Sequence, residues 1–241
     1  MENLQIINST LHKDLRVTTA YERELGHGMG AIMILPREIL EVQREYPILF
    51  RKHPETGQLL PIALFGFEQQ ENLFLTSESK WNANYIPLAM SKGPFFVGIN
   101  GPENTAENLV VCINRDDSRV GQDNGELLFD ERGNPSAYLE SIRLNLFRLH
   151  EGIADTKKMI DAFLAANLIE SVNMEIEFSD KKSINFNGAY TINAENLHQL
   201  DEATMTQLNV DGYLALAYFI AGSLGNVSKL IALKNQRIAM K

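Results

Sequence analysis

The chain has 241 residues, 44% of them hydrophobic and 22% charged, which is enough apolar material to bury a full core and argues against disorder. Its net charge of −9 opposes attraction to phosphate backbones, so no nucleic-acid partner is expected; the basic run Lys229, Lys234, Arg237 and Lys241 reads as cations closing a terminal helix. The single cysteine excludes an internal disulfide, and Met1-Glu-Asn-Leu lacks the basic start and apolar region of a secretory signal, so a cytoplasmic protein is expected.

The first half alternates short apolar runs with turn residues: Leu15 to Thr18, Ala31 to Leu35, Tyr46 to Phe50, Leu60 to Phe67, Leu73 to Thr76, Phe95 to Ile99 and Leu109 to Asn114. This series predicts a strand-rich, largely antiparallel region. Between the second and third runs, Pro36 to Glu45 places Pro at a helix start and Ile39, Leu40 and Val42 on one side, predicting one short helix. Pro54-Glu-Thr-Gly57 is turn chemistry, so its flanking runs should form a hairpin. Cys112, inside Leu109-Val-Val-Cys-Ile113, reads as a small apolar group in a buried strand.

At Asn134-Pro135 the pattern changes. Asn is a capping residue and Pro suits a first turn, and Leu139, Ile142, Leu146, Leu149 and Ile153 then recur at helical spacing. Gly152 should weaken or divide this long helix, since glycine costs about 1 kcal/mol relative to alanine in a helix interior. Ile160, Phe163 and Leu164 carry the apolar face onward. Val172, Met174, Ile176 and Phe178 alternate with polar residues, and the Asp180-Lys-Lys182 turn leads to Ile184, Phe186 and Tyr190, predicting a second hairpin with one wet face. A capped helix, Asp201 to Asn209, precedes an apolar helix from Gly212 to about Ile238. Its greasy run, Tyr213 to Leu224, falls short of the roughly 20 apolar residues a membrane crossing requires, so it is expected to be a core helix and not a transmembrane segment. The sum is an α+β fold in one domain over residues 1–241, with a subdomain seam near Gly133.

No motif specifies a reaction or a cofactor. His12 and Asp14 form a His-x-Asp pair, the start of a facial iron-ligand set, but only eleven residues precede it, and a local hydrogen bond is the simpler role. Gly26-His27-Gly28-Met29-Gly30 lacks the Lys-Ser/Thr of a phosphate loop and precedes a strand, so it reads as a flexible turn. Gly222-Ser-Leu-Gly225 has the wrong spacing for a nucleophile elbow. The acid pairs Asp116 with Asp117, Glu126 with Asp130 and Glu175 with Glu177 read as solvated surface.

Trp81, Tyr85 and Phe95, held stiff by Pro87 and Pro94, suit either a core anchor or a ligand or partner surface. Ser223 and Asn226 share one face of an apolar helix, where both require hydrogen-bond partners from backbone, a subunit or a bound molecule.

These residues together resemble the SapC-like family of bacterial proteins. The matching pieces are His12-x-x-Leu15-Arg16-Val17, Tyr46-Pro-Ile-Leu-Phe50, His53-Pro-Glu-Thr-Gly57-Gln58, Pro61-Ile-Ala-Leu-Phe-Gly66 and Glu71-Asn72-Leu73-Phe74. They continue with Trp81-x-x-x-Tyr85-Ile-Pro87, Pro94-Phe95, Leu128-Phe129-Asp130, Gly188-x-Tyr190 and Ser223-Leu-Gly-Asn226. The ordered series is specific although each piece is weak. Ile220-Ala221 departs from the His-Leu pair expected before the last signature. The resemblance implies association with a bacterial surface layer, from the family's name, and a gene neighbourhood of flavin-dependent halogenase-like enzymes, cupin-like proteins and TonB-dependent receptors. It implies no established activity, and the ABC-transporter permease that shares the name is a different protein.

Three functions follow as expectations. The first is a soluble, non-catalytic binding or accessory protein acting with a protein partner or small ligand. The second is a surface-layer or envelope component, and the third is a metal-dependent or halogenase- or oxygenase-associated enzyme subunit. The residues leave the ligand unnamed and a homo-oligomer open.

Overall fold

β-branched and aromatic runs between turn residues become strands, and in chain order these are β1 (Leu4–Ile6), β2 (Arg16–Val17), β3 (Ala31–Met33), β4 (Ile48–Lys52), β5 (Leu59–Leu64), β6 (Phe95–Ile99), β7 (Leu109–Asn114), β8 (Val120–Gly121), β9 (Glu126–Leu127), β10 (Ile169–Glu177) and β11 (Ser183–Ile192). The helices are α1 (Ile39–Val42), entered through a 3-10 turn at Pro36–Glu38, α2 (Leu88–Ser91), α3 (Ala137–Ala165), α4 (Ala194–His198), α5 (Glu202–Val210), α6 (Tyr213–Ser223) and α7 (Val227–Ala239). The computed structural model describes residues 3–101 and 108–240. All strand pairs among them are antiparallel, in sheets ordered β10-β11-β4-β5-β3, β1-β7-β6 and β8-β2-β9. The fold is α+β, with a strand-rich first half, as the sequence predicts.

β4 and β5 form the expected hairpin. Its turn is fixed by His53, whose backbone bonds both Gly57 and Gln58 and whose Nδ1 accepts from the Glu55 and Thr56 amides. β10 and β11 form the second hairpin, interrupted by a bulge between Val172 and Met174.

Three local expectations are corrected. Leu73 to Thr76 is no strand but a turn carrying one bridge, Leu75 to Trp81. Here Asn72 takes the role of a neighbouring strand: its Oδ1 accepts from Phe74 N at 2.9 Å and its Nδ2 donates to His27 O at 2.8 Å. The long helix is capped by Ser136, whose Oγ accepts from Leu139 N at 3.2 Å, and not by Asn134. Asn134 is occupied by Asp130, whose carboxylate accepts both its backbone and side-chain N–H groups. Gly152 does not divide α3. A Cβ there would lie 2.5 Å from Leu35 Cδ1, so the glycine lets the helix sit down on Leu35, and that packing outweighs its propensity loss.

Two hydrophobic cores result. One surrounds the five-stranded sheet, with Tyr46, Ile48, Phe50, Phe65, Phe74, Ile220 and Leu230 at its centre, and the other gathers Leu15, Val17, Phe95, Ile113 and Leu128. α3 belongs to both: Leu139, Ile142 and Leu146 enter the second core, and Met159, Ile160 and Phe163 the first. The seam between the cores thus runs alongside the first half of this helix.

α6 and α7 join through a 3-10 turn at Leu224–Asn226, so the helical path Tyr213–Ala239 is longer than its greasy first run. It is long and apolar enough to cross a membrane by length and composition only, the one such stretch among the described residues. In the fold, Ala217, Ile220, Ser223 and Leu230 pack inward, while Tyr218 on the opposite side stays exposed.

Candidate functional site

A carboxylate removed from water requires donors, and Glu38 shows how the Trp81 to Phe96 segment is fixed. Glu38 is buried, with Oε1 accepting from Leu88 N at 2.7 Å and from the Tyr85 hydroxyl at 2.9 Å, and Oε2 accepting from Leu35 N at 2.9 Å. Beside it, Trp81 Nε1 donates to the Tyr46 hydroxyl at 2.7 Å, which donates onward to Tyr85 O at 2.5 Å. Glu45 Oε1 accepts from the Asn84 and Tyr85 amides. Burial pushes Glu38, Tyr46 and Tyr85 above their usual pKa values, so both phenols stay protonated donors. Pro87 is buried, and its carbonyl accepts from Met90 N at the start of α2. Phe95 lies fully buried in the second core, edge-on to Tyr138 with centroids 6.1 Å apart.

Ser223 and Asn226 converge on the same place from the other side. Ser223 Oγ accepts from Ile48 N at 2.9 Å and donates to Ile220 O at 2.6 Å. Asn226 Nδ2 donates to Gln43 O at 2.8 Å and Tyr46 O at 3.2 Å. The two signatures therefore grip the segment from Gln43 to Ile48, with Tyr46 touched by both. Ile220 is fully buried in the first core. Ser223→Ala leaves the buried Ile48 N–H without this acceptor; a loss of about 2 kcal/mol in unfolding free energy, read from urea denaturation, is the expected result.

His12 is buried, its Nδ1 accepting from Asn8 N at 3.1 Å and its Nε2 lying 3.0 Å from Gln5 Oε1. Both ring nitrogens are thus engaged, and burial holds the pKa below the usual imidazole value. Asp14 is exposed, and among the described residues no group of three His, Cys, Asp or Glu side chains is placed to hold a metal ion.

The aromatic anchor continues into a cavity. Tyr21 meets Trp81 edge-on at 5.6 Å and His27 at 5.1 Å between centroids, and Tyr21 and His27 then wall a pocket of 170 Å³ at the seam between the cores. Met90, Ser91 and Gly93 close it from the Trp81 to Phe96 segment, and Tyr138 and Asn145 from α3. His27 Nδ1 lies 3.1 Å from both the Glu22 amide N and the Glu22 carbonyl O, so it accepts from the first or donates to the second according to the ring tautomer. Desolvation lowers the His27 pKa, with Arg119 adding to it, so neutral is the favoured form. Desolvation raises the Tyr21 and Tyr138 phenols. Arg119 lines the pocket but is held by Asp117 through two bonds of 2.8 and 2.7 Å, and that pairing depresses the Asp117 pKa. Among the described residues the Tyr21 and Tyr138 hydroxyls, His27 Nε2 and the Asn145 amide have no protein partner. The pocket therefore presents uncharged donors and acceptors next to a neutralised ion pair.

The SapC family model matches residues 7–230. The chain belongs to the SapC family. No curated protein and no solved structure gives a significant match. In this SapC chain, the polar atoms described for Trp81, Tyr85, Ser223 and Asn226 bond within the protein, and the seam pocket they support is built from residues the sequence did not single out as a site. His27 was visible only as part of a glycine-rich turn. Tyr21, Tyr138 and Asn145 lie far apart in sequence and carry no motif; the aromatic spacing around Trp81 was the nearest signal.

Proposed function

We propose that this SapC chain is a soluble, cytoplasmic, non-catalytic binding protein whose seam pocket receives a small polar ligand or one polar group of a protein partner. The observation that supports this reading is the set of partnerless polar groups on Tyr21, His27, Tyr138 and Asn145 lining one small cavity. Of the four residues only His27 is buried and the other three are part-exposed, so the cavity offers water-accessible polar groups that a bound ligand would take over from solvent. Two of the wall residues are held by ring contacts, Tyr21 against Trp81 and Tyr138 against Phe95, which limits the ordering that would oppose binding.

The test is native purification of the wild type and a Tyr138→Phe variant from the host, with mass spectrometry of everything retained. Phenylalanine keeps the ring contact with Phe95 and removes the hydroxyl, so unchanged thermal stability is expected together with loss of a co-purifying small molecule or protein. Identical retained material in both samples would refute the pocket. Turnover of a retained molecule would move the chain to an enzyme role, and recovery in the envelope fraction alone would favour the structural role suggested by the family name.

A further inference from the structure

A second and larger cavity, of 710 Å³, is walled by the glycine-rich turn, the end of β5 and the residues after it, Arg51 and Phe186. Its shape depends on close backbone approach. A Cβ on Gly30 would lie 2.0 Å from Glu68 O, and one on Gly66 would lie 2.0 Å from Glu71 O. Two cations, Arg23 and Arg51, face this space from exposed positions. Arg23 Nη1 donates to Gln70 O at 3.0 Å, and Arg51 Cζ lies 5.3 Å from the Phe186 ring centroid. Neither has a carboxylate partner among the described residues. The one acid on the wall, Glu68, is bonded by Lys234 at 2.7 Å, and Lys234 also holds Glu71. A chain of net charge −9 thus keeps a cleft with two uncompensated guanidinium groups. The rest of the lining is mixed, with Met29, Leu64, Phe67 and Phe186 supplying apolar side chains beside the polar Gln69 and Gln70.

We propose that this cleft binds an amphipathic organic anion, its carboxylate or phosphate gripped by Arg23 and Arg51 and its apolar body laid on Phe67 and Phe186. Guanidinium forks match planar and tetrahedral oxyanions, and the cavity is of the size that encloses a small organic molecule. The site is separate from the seam pocket and stands or falls independently of it.

Isothermal titration calorimetry of the full chain with octanoate, octyl phosphate and neutral octanol tests the proposal. At least one anion should bind, with octanol about tenfold weaker or undetectable, and Arg23→Gln or Arg51→Gln should each weaken the anion about tenfold. The double variant should lose binding altogether while keeping its circular dichroism and melting temperature, since both side chains are exposed. Tyr138→Phe should leave this binding intact. The preferred anion distinguishes a carboxylate from a phosphate ligand. Octanol matching the anions, undiminished binding by the double variant, or no binding of either anion at millimolar concentration would overturn the proposal.

Discussion

Glu38→Ala lowers the unfolding free energy by about 3 kcal/mol or more, because it strands the buried amide of Leu35, the part-buried amide of Leu88 and the Tyr85 hydroxyl at once. Hydrogen bonds to a charged acceptor are each worth about 1.5 to 3 kcal/mol, and the desolvation of the carboxylate offsets part of that sum. Trp81 is the only tryptophan, so its fluorescence reports on this neighbourhood directly. Its emission should shift to the red in the variant, as Tyr85 loosens and the Trp81–Tyr46 bond becomes accessible to water. Glu38→Gln, which keeps one carbonyl acceptor but turns an NH₂ toward a donor, should fall between alanine and wild type. A pH signature accompanies the loss. Burial holds the folded pKa of Glu38 above its unfolded value, so across the interval between the two the unfolded chain binds fewer protons than the folded one. Wild-type stability therefore falls as pH rises through that window, and Glu38→Ala lacks this slope. Equal stability of alanine variant and wild type in urea would show that the carboxylate anchors nothing.

The role of Glu38 also shows where sequence reading stops. A Glu in the short helix after Pro36 has the pattern of a solvated face, and two of its donors, Tyr85 and Leu88, arrive roughly 50 residues later. Elements set by local periodicity were legible: the strands from Ala31 to Asn114, α3, the β10–β11 hairpin and the capped α5. Elements that exist only through distant pairing were not. β1, Leu-Gln-Ile, is too short for its alternation to mark a strand and forms because Leu4 to Ile6 align with Cys112 to Asn114. The two-residue strands β8 and β9 are held by β2, more than a hundred residues earlier. The sequence did show that Ser223 and Asn226 needed partners and that Trp81 and Tyr85 suited an anchor or a binding surface. It did not show that Tyr46 would meet both groups, since that meeting is made by the packing of α6 and α7 on the sheet.

The glycine after β5 gives the second large effect. In Gly66→Ala the added Cβ would stand 2.0 Å from the Glu71 carbonyl oxygen, with the Glu71 Cγ and C atoms under 3 Å away. A flexible side chain could swing aside, but the nearest obstacle is backbone, and that segment is tied by its backbone and by a side chain: Glu71 N donates to Glu68 O, Leu73 N donates to Phe65 O, and the Glu71 carboxylate Oε2 accepts from Phe67 N. Relieving the overlap therefore requires breaking one of these bonds or pulling Gly66 N from Gly30 O, which it reaches at 3.1 Å. Overpacking against an immobile wall costs about 3 kcal/mol. A lowered urea midpoint with an unchanged denaturant slope is the expected result for Gly66→Ala, with Gly57→Ala as the control. Gly57 has open space around its Cβ position and sits in an exposed turn at φ 68°, so alanine there meets backbone strain alone, worth about 1 kcal/mol. If both variants lose the same stability, the crossing of the two chain segments beneath the cationic cleft is looser than the geometry requires, and a cleft with fixed walls is no longer tenable.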